Sequence, residues 1–144
     1  MRRLLVILAL VATVPSFAED MAVPKWIDEA RAARVELKKS HAKFFHEISS
    51  ILYTLDPVGI GAGTGSPSDE YDAEAGTIIP RLQDCRSALD AQKVVFEEFV
   101  HWFGADTAGK FESYSDEGAR IWDAWVRYRR QLPPNTSFER TRGR

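Results

Sequence analysis

Apolar residues return at helical intervals along most of the chain. Over residues 25–55 they fall at Trp26, Ala30, Leu37, Phe44, Phe45, Ile48, Ile51, Leu52 and Leu55 with charges between, which predicts one long amphipathic helix. Pro57 requires that helix to stop before it, because the residue preceding a proline is pushed out of the α region. A second stripe, Ile78, Ile79, Leu82 and Cys85, predicts another helix, with Pro80 in its first turn or at a kink. The third stripe is Ala91, Val94, Val95, Phe99, Trp102 and Phe103, preceded by the capping sequence Ser87-Ala88-Leu89-Asp90 and closed by Gly104. A polar connection over residues 106–115 follows. The last helix starts near Ser115 or Asp116, carries Ile121, Trp122, Trp125, Val126 and Tyr128, and ends at Leu132 before Pro133-Pro134. Four helices with short links predict an all-α fold, a single small helical bundle over residues 25–132. No strand-like alternation and no internal repeat is present.

Residues 56–80 resist this periodicity. They hold five of the nine glycines, an acidic tetrad at Asp69, Glu70, Asp72 and Glu74, and Tyr71 among the carboxylates. Gly59, Gly61, Gly63 and Gly65 keep the backbone from re-entering a helix, but lack the spacing of a phosphate-binding loop. Asp72 and Glu74 suit a helix start, where carboxylates complement the positive end of the helix dipole by ~0.3–1 kcal/mol each. Asp56, Pro57, Gly59 and Tyr71 form the structural part of this segment: the first three stop one helix, and the tyrosine is expected to turn inward and pin the loop, with the carboxylates outside.

Two features outside the helices change the picture. Arg2 and Arg3, the apolar run over residues 4–14 and Ser16-Phe17-Ala18 have the order of a secretory signal, residues 1–18, cleaved after Ala18. A run of eleven residues is too short to span a hydrocarbon layer of roughly 30 Å, so no stable membrane anchor is expected after cleavage and the periplasm or the medium is the destination. The lone Cys85 leaves no intrachain disulfide and reads as a packed hydrophobe. At the other end, residues 133–144 lose all periodicity and read as a disordered basic tail. Charge is distributed accordingly: residues 19–126 hold 11 Lys and Arg against 20 Asp and Glu, whereas residues 127–144 hold six Arg and one Glu. An acidic body is a poor match for nucleic acid, which is bound by neutralising phosphates, and a fair one for a basic protein partner.

The chemistry-bearing candidates are few. The tetrad could collect a hard cation, but lacks the alternation of a calcium loop. Glu98 and His101 sit one helical turn apart as half of a di-iron carboxylate motif, and no second copy exists. His41, on the line of Leu37, Phe45 and Ile48, reads as a core-edge residue with one hydrogen bond; His46 points elsewhere. No nucleophile signature occurs, so no catalytic residue and no cofactor is assigned. Phe99, Trp102, Phe103, Trp122, Trp125 and Tyr128 read as core, except that Trp102 and Phe103 cannot both face inward, so one of them lines a groove.

The succession Asp56-Pro57-x-Gly59-Ile60, Asp69-Glu70-Tyr71-Asp72 and then Ile78/Ile79 and Leu82 resembles an uncharacterised family of small helical bacterial proteins sharing a D-P-x-G-[I/V] turn, a D-E-Y-D segment and a following helix. Glu98-Phe99, Trp102-Phe103-Gly104 and Ile121-Trp122 look like that family's later helices, so the resemblance covers roughly residues 35–127. It implies a helical fold and a role in protein interaction, as an immunity protein or accessory of a toxin system, and brings no established activity. The longer glycine insert and the export signal are departures from it. The leading expectation is an exported, non-enzymatic protein-binding module that meets a basic partner through Asp69, Glu70, Asp72 and Glu74. The alternative is a small metal-binding or metal-dependent enzyme using Asp69, Asp72, Glu74, Glu98 or His101.

Overall fold

The computed structural model describes residues 24–61 and 69–134, together with 136 and 138. The expected export signal, part of the glycine run and most of the basic tail lie outside the described residues. Within them every element is helical: α1 (Lys25–Ser40), α2 (Ala42–Leu55), α3 (Asp72–Ile78), α4 (Ala88–Phe103), α5 (Ala105–Ala108) and α6 (Ser115–Arg129), with 3₁₀ turns at Ile79–Asp84 and Phe111–Tyr114. No helix among the described residues is long and apolar enough to cross a membrane.

The small helical bundle is observed, with differences at the joints. The single helix expected over residues 25–55 is two, because His41 leaves helical geometry at φ −135° and ψ 37°. Its ring nitrogen Nδ1 lies 2.5 Å from the Tyr128 hydroxyl of α6, a tertiary tie that periodicity does not encode. The α2 helix ends as expected ahead of Pro57, but Asp56 takes the left-handed conformation at φ 46° rather than an extended one. A short polar side chain that bonds locally tolerates this region better than most. Pro80 marks a change of helix type: α3 is α-helical to Ile78 and tightens to 3₁₀ from Ile79, with the proline in the first turn where its missing N–H costs nothing. Ser87 caps α4 by accepting from the Asp90 amide at 3.1 Å, and the Asp90 carboxylate accepts in turn from the Arg86 amide at 2.9 Å. The polar connection after Gly104 contains one helical turn and one 3₁₀ turn, and α6 ends at Arg129, three residues short of Leu132.

Ile48, Leu52, Ile78, Leu82, Val95, Phe99 and Ile121, all fully buried, carry the centre of one core. The α4 and α6 helices meet most closely at Gly118, where a Cβ would stand 2.5 Å from Cβ and 2.7 Å from Cα of Gln92. Only a hydrogen fits between those backbones. The α1 helix is attached differently. Only Ala30 and Leu37 of its residues are buried, and it crosses α3 where Gly76 leaves room for the stem of Arg34.

The α1–α3–α4 recess, a candidate functional site

The four carboxylates of the tetrad do not share a surface. Asp69 is exposed and Glu70 half-buried, but Asp72 and Glu74 are each 3% exposed. The expected acidic face of four carboxylates is therefore corrected to two, and the reason lies in α1. Its Lys38 lies over Asp72 as an ion pair to Oδ2, while Ser49 of α2 donates to Oδ1 at 2.7 Å, so Asp72 ties three helices together. Oδ2 meets the ammonium as a charge contact without aligned hydrogen-bond geometry. Glu74 sits deeper in the same seam. Burial pushes its carboxyl up to about 7, the nearby Asp72 and Glu98 charges push the same way, and the Arg34 guanidinium opposes them. Its Oε2 has no hydrogen-bond partner among the described residues.

Tyr71 is fully buried and stacks beside Phe99, and its hydroxyl donates to Asp56 Oδ1 at 2.5 Å. The Gly61 amide donates to the same oxygen at 2.9 Å. These bonds, the tyrosine's first, hold the Asp56 carboxyl below its usual range, while burial and the facing carboxylate push the Tyr71 phenol well up. A buried phenol that is always protonated and always donating is a fastener. Pro57 and Gly59 complete the turn, with the Gly59 amide bonded to the Asp56 carbonyl at 3.1 Å.

The two residues of the di-iron half-motif are separately engaged. Glu98 accepts from Arg81 at 2.7 Å, and the same guanidinium bridges to Glu97. His101 is exposed and packs its ring 4.3 Å from that of Trp26 on α1. Among the described residues no group of three or more His, Cys, Asp or Glu is placed to hold a metal ion. Cys85 is buried, with burial raising its thiol to about 11, which keeps it in the unreactive protonated form at neutral pH.

What the sequence did not point to is an open recess of about 160 Å³ between α1, α3 and α4, lined by Ile27, Ala30, Arg31, Arg34, Ala73 and Trp102. Trp102 forms its α4 wall and is held in place by its indole N–H, which donates to Thr77 Oγ1 at 3.1 Å. Trp26 lies edge-on to it at 5.0 Å. Arg34 has no ion-pair partner within 4 Å among the described residues, and Arg31 pairs only with exposed Asp28 at 3.3 Å. The recess thus joins an aromatic wall to two guanidinium groups with spare donors. Of this, only the groove-lining role of one residue of the Trp102-Phe103 pair follows from the sequence. The small residues Ala73, Ala75 and Gly76 were the signal for the rest, because they mark where another helix comes close. No family model, curated protein or solved structure matches the chain.

Proposed function

We propose that the chain is an exported, non-enzymatic helical module that binds a protein partner through the α1–α3–α4 recess. The observation that carries this reading is the size of the recess together with its lining. About 160 Å³ is below the roughly 300–1,000 Å³ of pockets that enclose small-molecule ligands, and it suits one inserted side chain. An aromatic and aliphatic hollow with arginines at its edge has the anatomy of an anchor site in a protein interface. The matching partner group is an apolar side chain with a carboxylate beside it, which Arg31 and Arg34 would meet with paired donors. This replaces the basic partner expected from the tetrad, since two of those four carboxylates are spent inside the fold. The fates of the other ionisable groups support binding over catalysis: Asp72, Asp56, Glu98 and Tyr71 each hold helices or loops in register.

The test is comparative capture from periplasmic extract on immobilised wild-type protein and on Arg31→Glu, whose exposed position leaves the fold intact. A partner retained by the first and lost from the second is the expected result. Identical profiles from both baits would sink the assignment of the recess.

A further inference from the structure

Of the sixteen residues of α1 only Ala30 and Leu37 are buried, so little apolar surface holds this helix to the bundle. Its far end is steadied by Trp26, whose ring lies 4.3 Å from that of His101 and 5.0 Å from that of Trp102. Its near end is a joint: helical geometry breaks at His41, between Ser40 and Ala42. That joint is anchored from the bundle side. The His41 ring bonds to the Tyr128 hydroxyl, and Phe138, 5% exposed, packs its ring 4.8 Å from that of His41. The expectation of a disordered tail is corrected at Phe138. An α1 that moves therefore pivots beside His41 and leaves α2 in place.

Two carboxyl groups of α3 lie under α1, and they act on it in opposite senses. Asp72 is a latch close to the pivot, paired with Lys38 from the last turn of α1 and accepting from Ser49 of α2. Glu74 has no such partner: it is 3% exposed, and its Oε2 makes no hydrogen bond among the described residues. The charges around it come from three helices. Arg34 faces it from α1, Asp72 from α3 itself and Glu98 from α4. The other polar groups of the seam are committed elsewhere: Arg81 of the 3₁₀ turn to Glu97 and Glu98, and both Lys38 and the uncharged Ser49 to Asp72. Of the three charges, Arg34 alone favours an ionised Glu74, and the two form no ion pair. The Arg34 stem instead lies across Gly76, 3.1 Å from where a Cβ would stand.

A carboxyl so placed is tolerated as the neutral acid and disfavoured as the anion, which gains more from water than from this seam. We propose that α1 is a pH-operated flap, docked on α3 with Glu74 as the neutral acid and released about the His41 joint as that carboxyl ionises. The sign follows from burial. The docked carboxyl titrates at about 7 against an ordinary 4.5, so docking is strongest below pH 4.5, weakens as pH rises to 7 and levels off above. A carboxyl that returns to its ordinary value on release weakens docking by about 300-fold across that window. Release also takes Ile27, Ala30, Arg31 and Arg34 away from Ala73 and Trp102, so the recess is a formed hollow only while α1 is down. Tighter occupancy of the recess at acid pH rests on the partner-binding reading above; the flap itself does not, and it is measured with no partner present.

The experiment is hydrogen exchange on the full-length protein at pH 5 and pH 8, each amide expressed as protection relative to an unstructured chain at the same pH. Amides of residues 30–37 are expected to lose at least tenfold in protection between the two, and at pH 8 to exchange at least a hundredfold faster than the core amides of α4 and α6. Glu74→Gln, which keeps the neutral shape, is expected to hold α1 protection constant within about threefold. Protection in α1 that ignores pH in the wild type overturns the proposal without recourse to any variant. Exchange of α1 at the rate of α4 and α6 would mean that it leaves only with the whole fold, and overturns the flap. A loss of protection that persists in Glu74→Gln would transfer the pH response to His101 against Trp26 or to His41 at the joint, and overturns the role of Glu74.

Discussion

Two seams of this bundle are built on opposite principles. Between α4 and α6 the backbones come together at Gly118 and Gln92, and Ala91, Val95, Ile121 and Ala124 are apolar and buried; the buried polar groups on these two helices are Gln92, whose carboxamide donates to the Phe111 carbonyl at 2.9 Å, and the single carboxylate Glu117. Between α1 and the rest, the buried groups include Asp72 and Glu74, and attachment depends on Lys38, Ser49 and the stem of Arg34. Apolar contact carries no titratable group, whereas a seam held by an ion pair over two desolvated carboxylates responds to pH and to ionic screening. The difference teaches where the molecule is adjustable: α4 and α6 define it, and α1 is clipped on. The recess proposed for partner binding opens along the adjustable seam.

Mutations can break or sharpen this contrast. The largest effect is expected from Gly118→Ala, which forces backbone apart from backbone and destabilises by about 3 kcal/mol or more, read as a lower urea midpoint for the whole protein. Asp72→Ala leaves Ser49 and Lys38 without their acceptor and is expected to cost about 2–3 kcal/mol. Its signature is local: hydrogen exchange accelerates in α1 well before α4 and α6 respond. Equal acceleration in all three helices would erase the distinction between the seams.

Glu74→Gln acts in the other direction. Since the folded carboxyl titrates at about 7 and the ordinary value is 4.5, the folded state holds a proton across that window that the unfolded chain has released. Stability therefore falls as pH rises from 4.5 to 7 and levels off above. The glutamine variant should lose this slope and exceed wild type by about 3 kcal/mol at pH 8, with near-equality at pH 4.5, measured by thermal melts. Tyr71→Phe is smaller, about 1–2 kcal/mol near neutral pH. The sign for its partner is the reverse: the Asp56 carboxyl is depressed, so its contribution is present above the ordinary value of 3.8 and lost as pH falls through the folded one. The variant should accordingly be less acid-sensitive than wild type. Smallest of all is salt: raising ionic strength to 0.5 M should loosen α1 by less than about 1 kcal/mol, because Lys38 is half-exposed and already partly screened.

Much of the bundle was legible because the stripe Phe44, Phe45, Ile48 and Leu52, and its counterpart Val94, Val95 and Phe99, face a core in the way their spacing requires. The break at His41 was hidden, since Leu37 and Phe45 continue the same apolar line on either side of it. The side chain at the break is bonded to Tyr128, eighty-seven residues away, a contact that no local pattern announces. The tetrad misled for a related reason. A carboxylate announces its charge but not whether a lysine from another helix will cover it, and Asp72 and Glu74 look like any helix start. Phe138 carried a signal that was available: one aromatic residue in an otherwise polar tail has a reason to be buried.

The Asp56 carboxylate has a consequence for how this chain could be rebuilt. It gathers Gly61 on one side of the glycine run and Tyr71 on the other, so the two ends of residues 62–68 are fastened to a single oxygen whatever lies between. Doubling the length of a closed loop costs only about 0.6 kcal/mol in chain entropy. An epitope or a reporter spliced between Gly61 and Tyr71 would therefore find both its ends already held by one knot at the base.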